Sequence, residues 1–139
     1  MAVSLSRVVG FRALHRMYRA DWSEARNREV FGALADPPGH PHDYRCIVTV
    51  AGPLDPGRGM IMDLAALDRI LDEEVVRRFD GRSLNEDLPE VADGRRLPTC
   101  ETIAAHVFAL ISARLPGGVG LERVRILEDP ALYADCTRD

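Results

Sequence analysis

Residues 43–76 read DYRCIVTVAGPLDPGRGMIMDLAALDRILDEEVV, and the change of period inside this stretch decides the fold. Its first nine residues, DYRCIVTVA, are rich in β-branched and aromatic side chains and predict a strand over residues 43–51. The following GPLDPGRG makes a turn, because its two prolines and three glycines support neither ladder nor helix. Asp63 then offers a good N-cap, and Leu64, Leu67, Ile70, Leu71 and Val75 fall on one face at helical spacing. A helix over residues 64 to about 78 follows, ended by Gly81.

Working outward toward the N-terminus, apolar and other residues alternate over Val3, Leu5, Val8 and Phe11. This predicts a first strand running to about His15, with a phase slip at Val8–Val9 that suggests a bulge. Residues 16–42 are polar and irregular, containing DWSEARN and DPPGHPH, and read as a long loop of the functional or mobile kind. Toward the C-terminus, residues 82–97 form a polar connection with Pro89 and Gly94. Pro98, Thr99 as N-cap and Glu101 in the first turn announce a second helix with Ile103, Val107, Leu110 and Ile111 on its apolar face, stopped at Pro116. GLERVRILED alternates in strand fashion, and ALYADC makes a short last strand. The order of two strands, two helices, two strands predicts an α+β fold, an antiparallel sheet with both helices on one face.

Composition narrows the function. With 139 residues, 46% hydrophobic and 29% charged, the chain is expected to form one domain, residues 1–139, with a real core. All 18 basic residues are arginine, which excludes lysine Schiff-base chemistry. A net charge of -4 without a basic run argues against a nucleic-acid partner. No stretch reaches the ~18 apolar residues of a membrane span, and the first residues lack the pattern of a signal peptide, so the expected location is cytoplasmic, with no membrane partner. Cys46, Cys100 and Cys136 match neither a CxxC clip nor a disulfide scaffold and read as buried reduced thiols.

The histidines carry the strongest chemical signal. His40 and His42 stand two apart before the second strand, and His15 ends the first. In extended backbone an H-x-H pair projects both rings to one face. A third imidazole from a neighbouring antiparallel strand completes a three-histidine zinc site with one open position. Loop histidines beside prolines, holding no metal, are the alternative.

The series F-x-A-x-H (residues 11–15), Asn27, Phe31 and Gly32, GHPHDY (residues 39–44), GPLDPGRGMIMDL, FDGRSLN (residues 79–85), LPTCETIA (residues 97–104) and VRILED (residues 124–129) resembles the 6-pyruvoyl-tetrahydropterin synthase family. That family includes the bacterial 6-carboxytetrahydropterin synthases. The resemblance implies the tunnelling fold (ββααββ), with trimers closing into a barrel, often stacked as hexamers, and active sites between subunits. It also implies Zn2+ as cofactor, held by His15, His40 and His42. Glu128 takes the place of the glutamate that anchors the amidine edge of a pterin, a task suited to a carboxylate accepting two parallel N–H bonds. Thr99 and Glu101 match residues that help hold the pterin, although capping explains them equally well.

The departures from the family pattern bear on chemistry. Pro41 replaces the middle Gly of HGHNY, and Asp43 its Asn. The family's loop cysteine aligns with Leu34 on the animal spacing, or with Asp36 on the bacterial one, and Gly81 stands where a histidine pairs with the retained Asp80. Loss of such an acid–base pair weakens the usual reaction by about 10²- to 10⁴-fold. One branch of the family uses a carboxylate in place of the cysteine and cleaves the side chain, a role open to Asp36; otherwise Asp36 is the turn residue before Pro37. Two functions are therefore expected as alternatives. One is a zinc-dependent lyase-like enzyme with altered reaction or substrate, performing side-chain cleavage, aldol-type or cyclisation chemistry on a pterin-like or pathway-specific small molecule, with Asp36 or Asp80 moving the proton. The other is a catalytically silent zinc-containing oligomer that binds a pterin-like ligand or a partner enzyme. His106 reads as a structural or trimer-contact histidine, the pairs Arg77-Arg78 and Arg95-Arg96 as solvated charges or phosphate contacts, and Tyr18 and Trp22 as pocket or packing aromatics.

Overall fold

A computed structural model describes residues 2–139. The strands are β1 (Ser4–His15), β2 (His40–Ala51), β3 (Arg82–Ser83), β4 (Gly120–Asp129) and β5 (Leu132–Thr137), in the sheet order β3-β1-β2-β4-β5. All neighbours are antiparallel except the two-residue β3, which runs parallel to β1. The helices are α1 (Glu24–Phe31), α2 (Leu64–Leu71), α3 (Arg77–Phe79), α4 (Leu84–Asp87), α5 (Pro89–Ala92) and α6 (Cys100–Ser112). The expected α+β architecture is present, with α2 and α6 as its two principal helices.

One sheet face makes the core. Phe11 and Ala13 of β1, Tyr44, Cys46, Val48 and Val50 of β2, and Leu121, Val124 and Ile126 of β4 cluster with Leu67, Leu71, Val75, Ile103, Val107 and Ile111. Side chains alternate across a strand, so the intervening residues turn to the other face. There Arg12 pairs with Asp43 and Arg125 with Asp135, each at 2.7–2.8 Å.

Five local readings change: the connection expected over residues 82–97 holds β3, α4 and α5, and four others follow. β1 pairs with β2 in unbroken register through Val8↔Ile47 and Val9↔Cys46; the apparent phase slip is instead an outward Val8, exposed on the far face. The irregularity lies at Thr49/Val50 against β4. β2 begins at His40, because Pro41 falls where the strand has β1 alone beside it, before pairing with β4 starts at Arg45↔Leu127, and proline is tolerated on such an edge. The loop over residues 16–42 contains α1, whose N-cap Ser23 accepts the Arg26 N–H. The helix after Asp63 passes through a π turn at Asp72–Val76 before α3, and Arg114 holds Glu73 and Glu74 beside that turn at 2.7 and 3.2 Å.

Candidate metal centre

The β1–β2 register sets His15 opposite His40 and Ala13 opposite His42. All three imidazoles thus share the core side at one end of the ladder. Their ring centroids lie 4.6, 4.9 and 5.0 Å apart, and one ring nitrogen from each falls within 4.8 Å of the others. Gly39 makes this approach possible: its φ is +102°, and a Cβ there would stand 2.5 Å from the His15 carbonyl oxygen.

The surroundings select which nitrogen of His15 faces inward. His15 is 3% exposed, and its Nδ1–H donates to the Pro98 carbonyl oxygen at 2.8 Å, with Tyr44 Oη at 3.2 Å. That leaves Nε2 as a lone-pair donor of fixed direction, the usual arrangement behind a ligating imidazole. Burial pushes the His15 pKa below the ordinary histidine value, favouring the neutral ring that a metal needs. His42 Nε2 is buried without a hydrogen-bond partner. An orphaned buried nitrogen is costly, and a cation shared with His15 and His40 would satisfy it. The site could therefore hold a metal ion, and its three imidazoles match the open donor set suited to zinc.

Glu128, projecting from the core face of β4, closes one side. Its Oε1 lies 3.5 Å from His15 Nε2 and 3.7 Å from His42 Nε2. Burial, and then the charge of Glu128, push the Tyr44 phenol upward and the Cys100 thiol up to about 11. Both groups stay protonated at neutral pH.

The other sequence-selected residues are placed less centrally within the chain. Thr99 caps α6, its hydroxyl accepting the Thr102 N–H at 3.2 Å, directly beside the Pro98 carbonyl that orients His15. Glu101 is exposed and lines a cavity of about 420 Å³ with Arg95, Arg96 and His106. Asp36 precedes the turn into His40, where its carbonyl accepts the Gly39 N–H at 2.9 Å and its carboxylate pairs with Arg28. Asp80 accepts the Arg12 backbone N–H at 2.9 Å, securing the chain to β1 beside β3. Arg77, Arg78 and Arg95 pair with Asp72, Glu74 and Asp93, His106 approaches Glu90 at 3.1 Å, and Trp22 stacks on Phe31 while Arg16 covers Tyr18.

Pro98, Tyr44 and two asparagines are contributors that the sequence reading did not single out for roles. Asn85 accepts the Arg16 N–H and donates to the Arg16 carbonyl oxygen, both at 2.9 Å, which fixes the chain as it leaves His15. Asn27, 1% exposed, makes the same two-way bond with Arg19 at 2.7 and 3.0 Å. Both asparagines lie in the motifs quoted for the resemblance, and that membership was the available signal.

Fold and site together define an α+β protein that gathers three imidazoles at the end of its first strand pair. The chain belongs to the 6-pyruvoyl tetrahydropterin synthase family, whose model matches residues 4–139. It is 36% identical over 124 residues to the 6-pyruvoyl tetrahydrobiopterin synthase of Homo sapiens, covering 89% of this chain and 83% of the relative. It is 33% identical over 89 residues to the dihydroneopterin monophosphate aldolase of Pyrococcus furiosus, covering 64% of this chain and 69% of the relative. Among solved structures, Caenorhabditis elegans 6-pyruvoyl tetrahydropterin synthase superposes with a TM-score of 0.88 at 29% identity, covering 100% of this chain and 97% of that one.

Proposed function

We propose that the chain is a zinc-dependent, lyase-like enzyme acting on a dihydropterin or closely similar small molecule, with a reaction altered from that of the synthases. One observation carries this reading: three imidazoles converge, with the His15 tautomer set by Pro98 and His42 Nε2 left buried and unpartnered. A zinc ion held there supplies polarisation of substrate oxygen atoms, easing loss of a proton or cleavage of a neighbouring bond.

The chain's own residues supply the rest. Glu128 presents a carboxylate suited to the paired N–H donors of a pterin edge, and the α6 start around Thr99 lies beside it. Glu101 is a further candidate contact for the ring. The altered reaction follows from two positions of the family pattern: Leu34 and Gly81, where the resemblance implies a cysteine and a histidine, carry no group able to move a proton. Asp36 is the carboxylate that takes over this role on the side-chain-cleavage reading, its Oδ atoms receiving a proton after release from Arg28. The similarity to a protein named as an aldolase supports that direction. Asp80, engaged with the Arg12 backbone, is the second candidate.

The silent-oligomer reading rests on those same replacements. An assay of purified protein on dihydroneopterin and its phosphates separates the two. The enzyme reading expects conversion that Asp36→Asn lowers by about 10²-fold or more and His40→Ala abolishes. Ligand binding without any turnover would establish the silent form, and full activity in Asp36→Asn would remove that residue from the mechanism. The assembly expected with either function is a homotrimer or a hexamer, and the expected location is the cytoplasm.

A further inference from the structure

We propose that Asn85 is a positioning residue of the metal centre: its side-chain amide grips the main chain directly after His15 and so sets how far that imidazole reaches toward His40 and His42. This deepens the reading above and rests on the three histidines holding a metal. β3 pairs with β1 at Ala13↔Arg82 and Leu14↔Ser83, and the ladder stops there as the chain turns into α4. Asn85 takes over two residues later. Its Oδ1 accepts the Arg16 N–H and its Nδ2 donates to the Arg16 carbonyl oxygen, both at 2.9 Å and across 69 residues of sequence. A carboxamide presents the same donor and acceptor as a peptide, so this side chain serves as one more rung of the ladder at the point where β1 ends.

The His15–Arg16 peptide is thus held by Asn85 and by the close backbone of Gly39, where an added Cβ would stand 2.5 Å from the His15 carbonyl oxygen and 3.1 Å from the Arg16 nitrogen. Pro98 fixes the rotation of the His15 ring through Nδ1. A ring correctly turned on a displaced backbone still misses its metal, because ligand distances tolerate only about 0.2 Å. The connection from β3 to α6 therefore carries two supports of one ligand, Asn85 for the main chain and Pro98 for the ring. Asn27 supplies the comparison. It grips Arg19 in the same two-way manner, at 2.7 and 3.0 Å, but four residues beyond His15, on a stretch that bears no imidazole.

Cobalt(II) separates positioning from stability, because its visible absorption reports the ligand geometry of the folded protein. Wild type, Asn85→Ala and Asn27→Ala are titrated with Co2+, with affinity read by competition with a chelator and the metal-free Tm by thermal unfolding. Both variants are expected to melt below wild type. Asn85→Ala alone is expected to bind cobalt at least about 10-fold more weakly, on the scale of losing a supporting group of a metal site, and with an altered spectrum, while Asn27→Ala keeps the wild-type affinity and bands. Should Asn85→Ala not fold, Asn85→Asp carries the comparison. It keeps the acceptor and loses the donor, and its added charge by itself favours a cation, so weaker binding reports position, and unchanged or tighter binding overturns the role. Wild-type affinity and spectrum in Asn85→Ala, with cobalt still lost in His40→Ala, would overturn the positioning role alone, as would equal weakening in the two asparagine variants. A wild type that takes up no cobalt overturns it together with the metal reading.

Discussion

At the scale of single residues, burial decides which groups are available for chemistry. The Cys46 thiol, fully buried, is pushed up to about 12 by desolvation, whereas Cys136 is only half-buried. Alkylation of the native protein at pH near 8 is expected to modify Cys136 and spare Cys46, which mass spectrometry of the labelled peptides checks. His15 has a folded pKa below its unfolded value because burial disfavours the imidazolium. Its native form binds fewer protons than its unfolded form, so its contribution is present above about pH 6.5 and declines as pH falls below that value. The metal-free protein is accordingly expected to lose Tm between pH 7.5 and 5.5, with a shallower loss in His15→Asn; an identical slope in both would contradict the burial argument. The three histidines were legible in the sequence because alternation in a strand is a strict geometric rule. The Pro98 carbonyl was not, since a backbone acceptor 83 residues away leaves no mark on side-chain pattern.

At the scale of elements, the long strands and α2 and α6 could be read because their apolar faces repeat at the period of the backbone. α1 could not: EARNREVF buries only Asn27, and it is held by a cap and by Asn27's bonds to Arg19 and Ser23. α4 and α5, four residues each, are too short to show a period. β2 was read three residues late because Pro41 resembles a breaker, although the edge tolerates it. The close approach of the chain entering β2 to the end of β1 depends on Gly39, so Gly39→Ala must move the His15 carbonyl or the Gly39 backbone. Weaker metal uptake is expected in that variant with the far-UV circular dichroism of the wild type retained. Thr99→Ala removes the α6 cap and is expected to cost about 1 kcal/mol in denaturant unfolding. A fall in dihydropterin affinity on top of that loss would add a direct ligand contact to its capping role.

At the scale of the whole molecule, α2 and α6 cover one sheet face while the other carries Arg12–Asp43 and Arg125–Asp135 pairs, with Val8 and Tyr133 each about half exposed. A sheet with one wet, partly apolar face is suited to closing against copies of itself. On the proposed trimer or hexamer, light scattering is expected to give three or six times the 15.4 kDa chain mass, and a monomer at micromolar concentration would contradict it. The sequence order of elements made the fold readable, and the ordered motifs made the family readable. On the family pattern Leu34 and Gly81 stand where an acid–base pair is expected, and on the proposed reading its replacement depends on how Asp36 stands against Arg28. Whether His15, His40 and His42 hold a metal is answered by the metal content of the protein. Elemental analysis of purified protein is predicted to find about one zinc per chain in wild type and a large loss in His40→Ala; zinc absent from both, or retained equally by both, would contradict a metal held there.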